Sequence, residues 1–159
     1  MAAAPGVPTA CGTYALLLKL ERSKETQVGR LGRFSFPAGY YAYVGSAFGP
    51  GGLAARLARH GRSEKRLFWH IDYFLASAEL VDVHCDTSGQ ELECEWARML
   101  MSMNGVQVVA PGFGASDCRC SSHLIFLGSE ARACCDGFRK MFEADPAGES
   151  RQGHRRGAC

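Results

Sequence analysis

The stretch Tyr40-Tyr41-Ala42-Tyr43-Val44-Gly45-Ser46-Ala47 is rich in aromatic side chains and typical of a β-strand. An earlier segment, 13–20, carries a large apolar side chain at every second position from Tyr14, which predicts a second strand with one apolar face. A third β-rich segment, 28–36, is separated from the first by the turn signal Pro37-Ala38-Gly39. The first third of the chain therefore predicts three short antiparallel strands.

Beyond these strands, apolar periodicity predicts helices and alternation predicts further strands. The predicted helices cover 53–60, 67–76, 90–103 and, after an N-cap at Ser129, 130–142. The further strands cover 79–85 and 123–127. The fold class expected from this order is α/β of the α+β type, with a small three-stranded antiparallel sheet flanked by helices.

The length of 159 residues fits one domain with a sizeable core. We expect a flexible N-terminus over 1–10 and a single domain over 11–143. Residues 144–159 are rich in Gly, Arg and Ser, so we expect a disordered basic tail.

Two features bear on the compartment. No apolar run approaches the roughly 20 residues that span a bilayer, and the stretch Met1-Ala2-Ala3-Ala4-Pro5 has neither the basic nor the apolar part of a secretory signal. Eight cysteines without an export signal favour a reducing compartment. We therefore expect an intracellular protein, cytoplasmic or nuclear, that is neither secreted nor associated with a membrane.

The net charge of +2 hides a segregation of charge. Basic residues concentrate between residues 56 and 66, and acidic residues concentrate between 79 and 95. This pattern favours a phosphate-binding surface beside a cation-binding one, and two solvated faces are the alternative. The candidate nucleic-acid contacts are Arg59, Arg62, Lys65 and Arg66.

Four short motifs carry the chemistry of a phosphodiester hydrolase: Gly12-Thr13-Tyr14, Tyr43-Val44-Gly45, Arg56-Leu57-Ala58-Arg59-His60, and Glu95 on a later helix. Such a reaction needs a positioned water and charge neutralisation at the phosphate. Arginine binds phosphate oxygens with a permanent charge, and a carboxylate can hold Mg²⁺. Tyrosine hydroxyls can orient the attacking water or take its proton.

In order and spacing these motifs resemble the GIY-YIG nucleases, whose two tyrosines lie on neighbouring strands. The resemblance implies that Tyr14 is the base or water-orienting group and that Tyr43 is the second tyrosine. It implies phosphate binding by Arg56, and proton transfer assisted by His60, one helical turn later. Glu95 would be the ligand of a single Mg²⁺ or Mn²⁺ ion.

Three further segments, 69–73, 93–95 and 112–124, resemble the Uri-type stand-alone subgroup of that superfamily. The resemblance covers about 12–127 and implies a metal-dependent endonuclease acting on DNA, in repair or in the processing of branched or damaged DNA. RNA stays open as a substrate, and the oligomeric state is left undetermined.

The metal ligand is ambiguous between two carboxylates. Glu93 and Glu95 border the apolar stripe of Trp96 on opposite edges, so helical geometry does not choose between them. The resemblance of Glu93-Cys94-Glu95-Trp96 to an E-x-E-aromatic segment of the family favours Glu95.

The pattern Cys118-x-Cys120-x-x-His123, with Cys94 on the preceding helix, suggests a zinc site. One residue between the cysteines is tighter than the usual two to four, so we prefer the interpretation that this segment is a structural loop against the active site. His70, in an apolar segment, is expected to be a core histidine bonded to Asp72 or to a carbonyl.

Two other functions fit the same residues. One is a nucleic-acid-binding module that has kept the fold without catalysis, and the intact set of site residues argues against it. The other is a zinc-stabilised interaction protein in which the cysteines matter and the tyrosines do not.

Overall fold

A computed structural model describes residues 6–143, which form six strands and four helices. The strands are β1 (Gly12–Leu20), β2 (Lys24–Val28), β3 (Gly32–Phe36), β4 (Gly39–Ala47), β5 (Glu79–Asp86) and β6 (Leu124–Gly128). The helices are α1 (Gly52–His60), α2 (His70–Leu75), α3 (Glu93–Met101) and α4 (Ala131–Glu143). The α+β class is confirmed. The predicted tail at 144–159 and the first half of the predicted N-terminal segment 1–10 lie outside the described residues.

The main sheet is antiparallel and has four strands, in the order β5-β1-β4-β6. The prediction of a three-stranded sheet is therefore wrong. The segment 28–36 is not one strand, because the chain turns after Val28, where Gly29 has a φ of 48° and the N–H of Leu31 bonds the Val28 carbonyl. Residues 32–36 form β3, which pairs in a separate hairpin with β2, a strand over Lys24–Val28 that the sequence did not predict. The predicted strands at 79–85 and 123–127 supply the edges of the main sheet.

Both faces of the sheet are covered, as expected for central strands that are buried along almost their whole length. On β1, Leu16 belongs to the core on the side of α1 and α2, whereas Leu17 packs on the side of α3 and α4. Trp96 and Leu100 of the predicted α3 stripe are fully buried in this second core. Within residues 6–143, no helix has the length and apolar character needed to cross a membrane.

Two helix starts differ from the prediction because carboxylates cap them. The predicted helix over 67–76 begins only at His70, since Asp72 accepts hydrogen bonds from the backbone N–H of Phe68 and of Trp69. At α4 the side chain of Glu130, rather than that of Ser129, accepts from the first N–H groups of the helix.

The register between β1 and β4 brings the two predicted tyrosines together. Tyr14 lies opposite Gly45, and Leu16 lies opposite Tyr43. Tyr14 and Tyr43 therefore share one face of the sheet, with their ring centroids 6.3 Å apart. A Cβ atom at position 45 would lie 2.5 Å from the Tyr14 hydroxyl oxygen, so only glycine leaves room for this ring.

Gly45→Ala should destabilise the protein by about 1–3 kcal/mol, because the added methyl group overpacks the buried Tyr14 ring. Urea denaturation monitored by circular dichroism measures the change. The matched control is Gly49→Ala, where a Cβ meets nothing within 4 Å and which should be near neutral. Equal stability of the two variants would contradict the packing argument.

Candidate functional site

A cavity of about 390 Å³ opens where β1 begins and β4 ends. Three of the sequence-predicted residues line it, Tyr14, Tyr43 and Arg56. Of the two candidate metal ligands, Glu93 lines the cavity and Glu95 does not. The other lining residues are Gly45, Ser46, Phe68, Trp69, His70, Gly114, Ser116 and Asp117.

His60 lies behind Tyr14 instead of in the cavity wall. Its Nε2 atom is 2.6 Å from the Tyr14 hydroxyl, and both side chains are buried. Burial, assisted by the nearby charge of Lys65, lowers the pKa of His60 to about 3. Within residues 6–143 the buried Nδ1 atom has no hydrogen-bond partner, so a second ring proton would find no acceptor. His60 is therefore a neutral imidazole that fixes the Tyr14 hydroxyl.

Both tyrosines are held in the protonated form. Burial raises the pKa of Tyr14 well above 10, and the nearby Tyr43 adds to this. Burial and the charge of Glu93 raise the pKa of Tyr43 as well. Each tyrosine thus offers a neutral hydroxyl, a group that can orient a water or a ligand oxygen.

The guanidinium of Arg56 is oriented by stacking. Its Cζ atom lies 4.1 Å from the ring centroid of Trp69, and Cζ of Arg59 lies 4.0 Å from the same centroid. Since α1 places these two arginines nearly one turn apart, the indole is contacted by both. Arg56 is thus held at the cavity by a cation–π contact.

Two of the predicted nucleic-acid contacts are used inside the fold. Arg59 makes a bidentate ion pair with Asp72, at 2.7 and 2.8 Å, and the Asp72 carboxylate is fully buried. Lys65 is nearly buried and donates to the backbone carbonyls of Arg59 and His60 at the end of α1. Arg62 and Arg66 are exposed, as a surface role requires.

Thr13 positions the start of α3. Its hydroxyl donates to the carbonyl of Gln90 and accepts from the N–H of Leu92, the residue before the helix. Because Thr13 precedes Tyr14 on β1, the same strand orients the tyrosine and anchors the helix that begins with Glu93. This link between strand and helix puts a carboxylate at the cavity.

His70 was expected in the core, bonded to Asp72 or to a carbonyl, and this is wrong. Its Nδ1 atom accepts a 2.9 Å hydrogen bond from the N–H of Gly114, and the ring lines the cavity. Because Nδ1 accepts this bond, the neutral ring carries its proton on Nε2, and burial lowers the pKa of His70. Asp117 also lines the cavity, and it belongs to the segment 117–123 that the sequence predicted as a loop against the active site. For His70 the signal was the segment 69–73.

Four side chains that the sequence grouped as zinc candidates do come together. The ligand atoms of Cys94, Cys118, Cys120 and His123 all lie within 4.8 Å of one another. His123 is buried, the three cysteines are half-buried, and all three are free thiols. Although burial opposes ionisation, hydrogen bonds from Cys120 and Cys94 and the nearby His123 lower the pKa of the Cys118 thiol. Such a cluster can hold a metal ion.

The cysteine cluster and the cavity share a wall. The Nδ1 atom of His123 lies 2.9 Å from Oε1 of Glu93, and its Nε2 atom faces the Cys118 sulfur at 3.4 Å. Burial by itself lowers the pKa of His123, but the hydrogen bond and charge of Glu93, together with Cys118, raise it overall. Glu93 and Cys94 are neighbours on the first turn of α3, so one helix end serves both groups of side chains.

Comparison with known families matches the chain to one family model. The model described as "Domain of unknown function DUF123" matches residues 13–144, and the chain belongs to that family. No curated protein and no solved structure matches the chain.

His60 should make the protein less stable in mild acid. Its pKa is about 3 in the fold against 6.5 ordinarily, so below pH 6.5 the unfolded chain binds a proton that the folded chain does not. Stability is then lost as the pH falls from 6.5 toward 3, by about 1 kcal/mol from this residue at about pH 5.5. Urea titrations at about pH 7.5 and 5.5 measure the loss, which should shrink by that amount in His60→Gln. Equal losses in the two proteins would show that His60 is charged in the fold.

Proposed function

We propose that this protein is a metal-dependent endonuclease of the GIY-YIG type, which hydrolyses phosphodiester bonds in DNA during repair or processing. One observation carries the proposal: two tyrosines and an arginine of the sequence motifs line a single cavity together with the carboxylate of Glu93. RNA remains an alternative substrate. A purely non-catalytic binding module is less well supported, because it needs no carboxylate in the cavity.

The roles follow from the geometry of the cavity. Arg56, stacked on Trp69, binds the phosphate and offsets its charge. Tyr14, fixed by the neutral His60, orients the attacking water through its hydroxyl oxygen. Tyr43 lies beside it in the same wall and provides a second hydroxyl for the phosphate or the water.

We assign the divalent cation to Glu93 instead of Glu95. His123 bonds Oε1 of Glu93, and within residues 6–143 no hydrogen bond engages Oε2, which leaves one hard oxygen for Mg²⁺ or Mn²⁺. Asp117, in the same wall, adds a second carboxylate. When bound, the cation supplies charge neutralisation at the phosphate and keeps several waters in place.

The segment between α1 and α2 extends the cavity into a surface suited to a nucleic-acid strand. Arg62 and Arg66 are exposed there, and the Phe68 ring is 74% exposed at the rim of the cavity. Basic side chains beside an exposed aromatic ring are a common way to bind unpaired nucleotides, by phosphate contacts and base stacking. This arrangement favours structured or branched DNA as substrate.

Glu93→Gln should lower cleavage at least a hundredfold while leaving folding and DNA binding largely intact, because it removes the cation ligand and keeps the shape of the side chain. The measurement is cleavage of branched, nicked, single-stranded and duplex DNA with Mg²⁺ or Mn²⁺, and with EDTA as the blank. The matched control is Glu95→Gln, which should cut like the wild type. A dead Glu95→Gln beside an active Glu93→Gln would return the ligand to Glu95, and activity in both would end the mechanism.

We further propose that the ion held by the cysteine cluster is zinc. Three thiols and an imidazole are soft and borderline ligands that suit Zn²⁺ and not Mg²⁺. A tetrahedral zinc site sets its ligand atoms roughly 3.5–4 Å apart, so the cluster needs only small side-chain adjustments to close. With four protein ligands the site would be structural, and it would tie α3 to the loop before β6.

Protein purified without chelator should contain close to one equivalent of zinc. Cys118→Ser should lower the zinc content and the melting temperature, because a structural zinc ion stabilises the folded state. Elemental analysis and thermal denaturation measure the two effects. Cys135→Ser, a free cysteine outside the cluster, is the control and should keep its zinc. A wild type that carries no zinc would exclude the proposed metal and, with it, a zinc-stabilised interaction protein.

A further inference from the structure

One side chain belongs to both the cysteine cluster and the cavity. His123 has two ring nitrogens, and each faces a different group: Nε2 lies 3.4 Å from the Cys118 sulfur, and Nδ1 lies 2.9 Å from the Glu93 carboxylate. The imidazole is 2% exposed, so neither nitrogen can exchange its partner for solvent without a local opening of the fold.

The backbone of His123 is clamped on both sides. Its N–H donates to the carbonyl of Phe113 at 2.7 Å, and its carbonyl accepts from the N–H of Val44 on β4 at 3.0 Å. Gly114 packs so closely that a Cβ there would lie 3.0 Å from the Cβ of His123. The backbone of His123 is therefore fixed, and its ring can move only by rotation about the side-chain bonds.

A metal ion bound to Nε2 would stop this rotation of the His123 side chain. An imidazole that binds a cation through one nitrogen carries its proton on the other, and this proton then has one direction in which to donate. Here that direction leads to Oε1 of Glu93, which leaves Oε2 for the cavity. Carboxylate–histidine–metal triads of this kind orient groups on both sides of the ring.

We propose that His123 is a positioning residue that links the cysteine cluster to the cavity: with a metal on Nε2, its Nδ1–H holds the Glu93 carboxylate ready for the divalent cation. The inference rests on the proposed function, since it gives Glu93 the cation-binding role. Zinc in the cysteine cluster thereby sets the affinity of the cavity for Mg²⁺ or Mn²⁺.

Two substitutions at this position separate the functions of its nitrogens. His123→Cys completes a four-thiol site that can keep zinc but has no donor for Glu93. His123→Asn keeps an N–H donor near the position of Nδ1 but loses the Nε2 ligand. Cys118→Ser weakens zinc binding and leaves His123 in place. It therefore measures the effect of zinc loss alone on the affinity of the cavity for Mn²⁺.

The readout is the affinity of the cavity for Mn²⁺ alone, measured by electron paramagnetic resonance, with zinc content and circular dichroism recorded for each protein. Mn²⁺ prefers oxygen ligands, so it reports on Glu93 and not on the thiols. We expect His123→Cys to bind Mn²⁺ at least tenfold more weakly than the wild type, and His123→Asn to recover part of the loss.

The order of the Mn²⁺ affinities decides whether His123 positions Glu93. If His123→Cys binds Mn²⁺ within twofold of the wild type, or if both His123 variants and Cys118→Ser are weakened equally, the histidine has no positioning role of its own. A wild type whose Mn²⁺ binding does not depend on Glu93, tested with Glu93→Gln, would overturn the cation site of the proposed function together with this inference. Mn²⁺ binding that depends on Glu93 and is indifferent to His123 would overturn the inference alone.

Discussion

The pairing of β1 with β4 is the constraint on which the rest of the molecule depends. Nine residue pairs join these central strands, and a register that sets Tyr14 against Gly45 decides which side chains face each layer. A one-residue slip of β1 against β4 would turn the β1 side chains to the opposite face, which would separate Tyr14 from Tyr43 and turn Leu17 toward the first core. The register of the two strands must therefore be correct before any loop can complete the cavity.

A buried carboxylate plays the corresponding part on the helical side. Asp72 pairs with Arg59, caps α2 and accepts from the backbone N–H of Trp69, whose ring orients Arg56. An ion pair with one partner fully buried is costly unless its hydrogen bonds are complete, and here two backbone N–H groups and the guanidinium complete them. A side chain that does not line the cavity therefore helps to fix one that does.

Much of this was predictable from the sequence, for reasons that differ between the elements. Strict alternation identified β1, and the motif order identified Tyr14, Tyr43 and Arg56, because these signals are local. The choice between Glu93 and Glu95 was not local: it depends on how α3 begins, which Thr13 fixes from a distant strand. The same holds for Arg59 and Lys65, whose buried partner Asp72 lies on another segment. Strand β2 was missed because four of its five residues are polar and give no apolar alternation.

The stack of Arg56 on Trp69 has a consequence for the cost of recognition. A free arginine side chain loses up to about 2 kcal/mol of rotamer entropy when it is immobilised on a ligand. With its guanidinium held 4.1 Å from an indole that a second arginine also contacts, most of this loss has already occurred during folding. An anion bound at the proposed phosphate position would therefore meet a rigid cation, and the free energy of that contact would appear as affinity and orientation instead of being consumed in ordering the side chain.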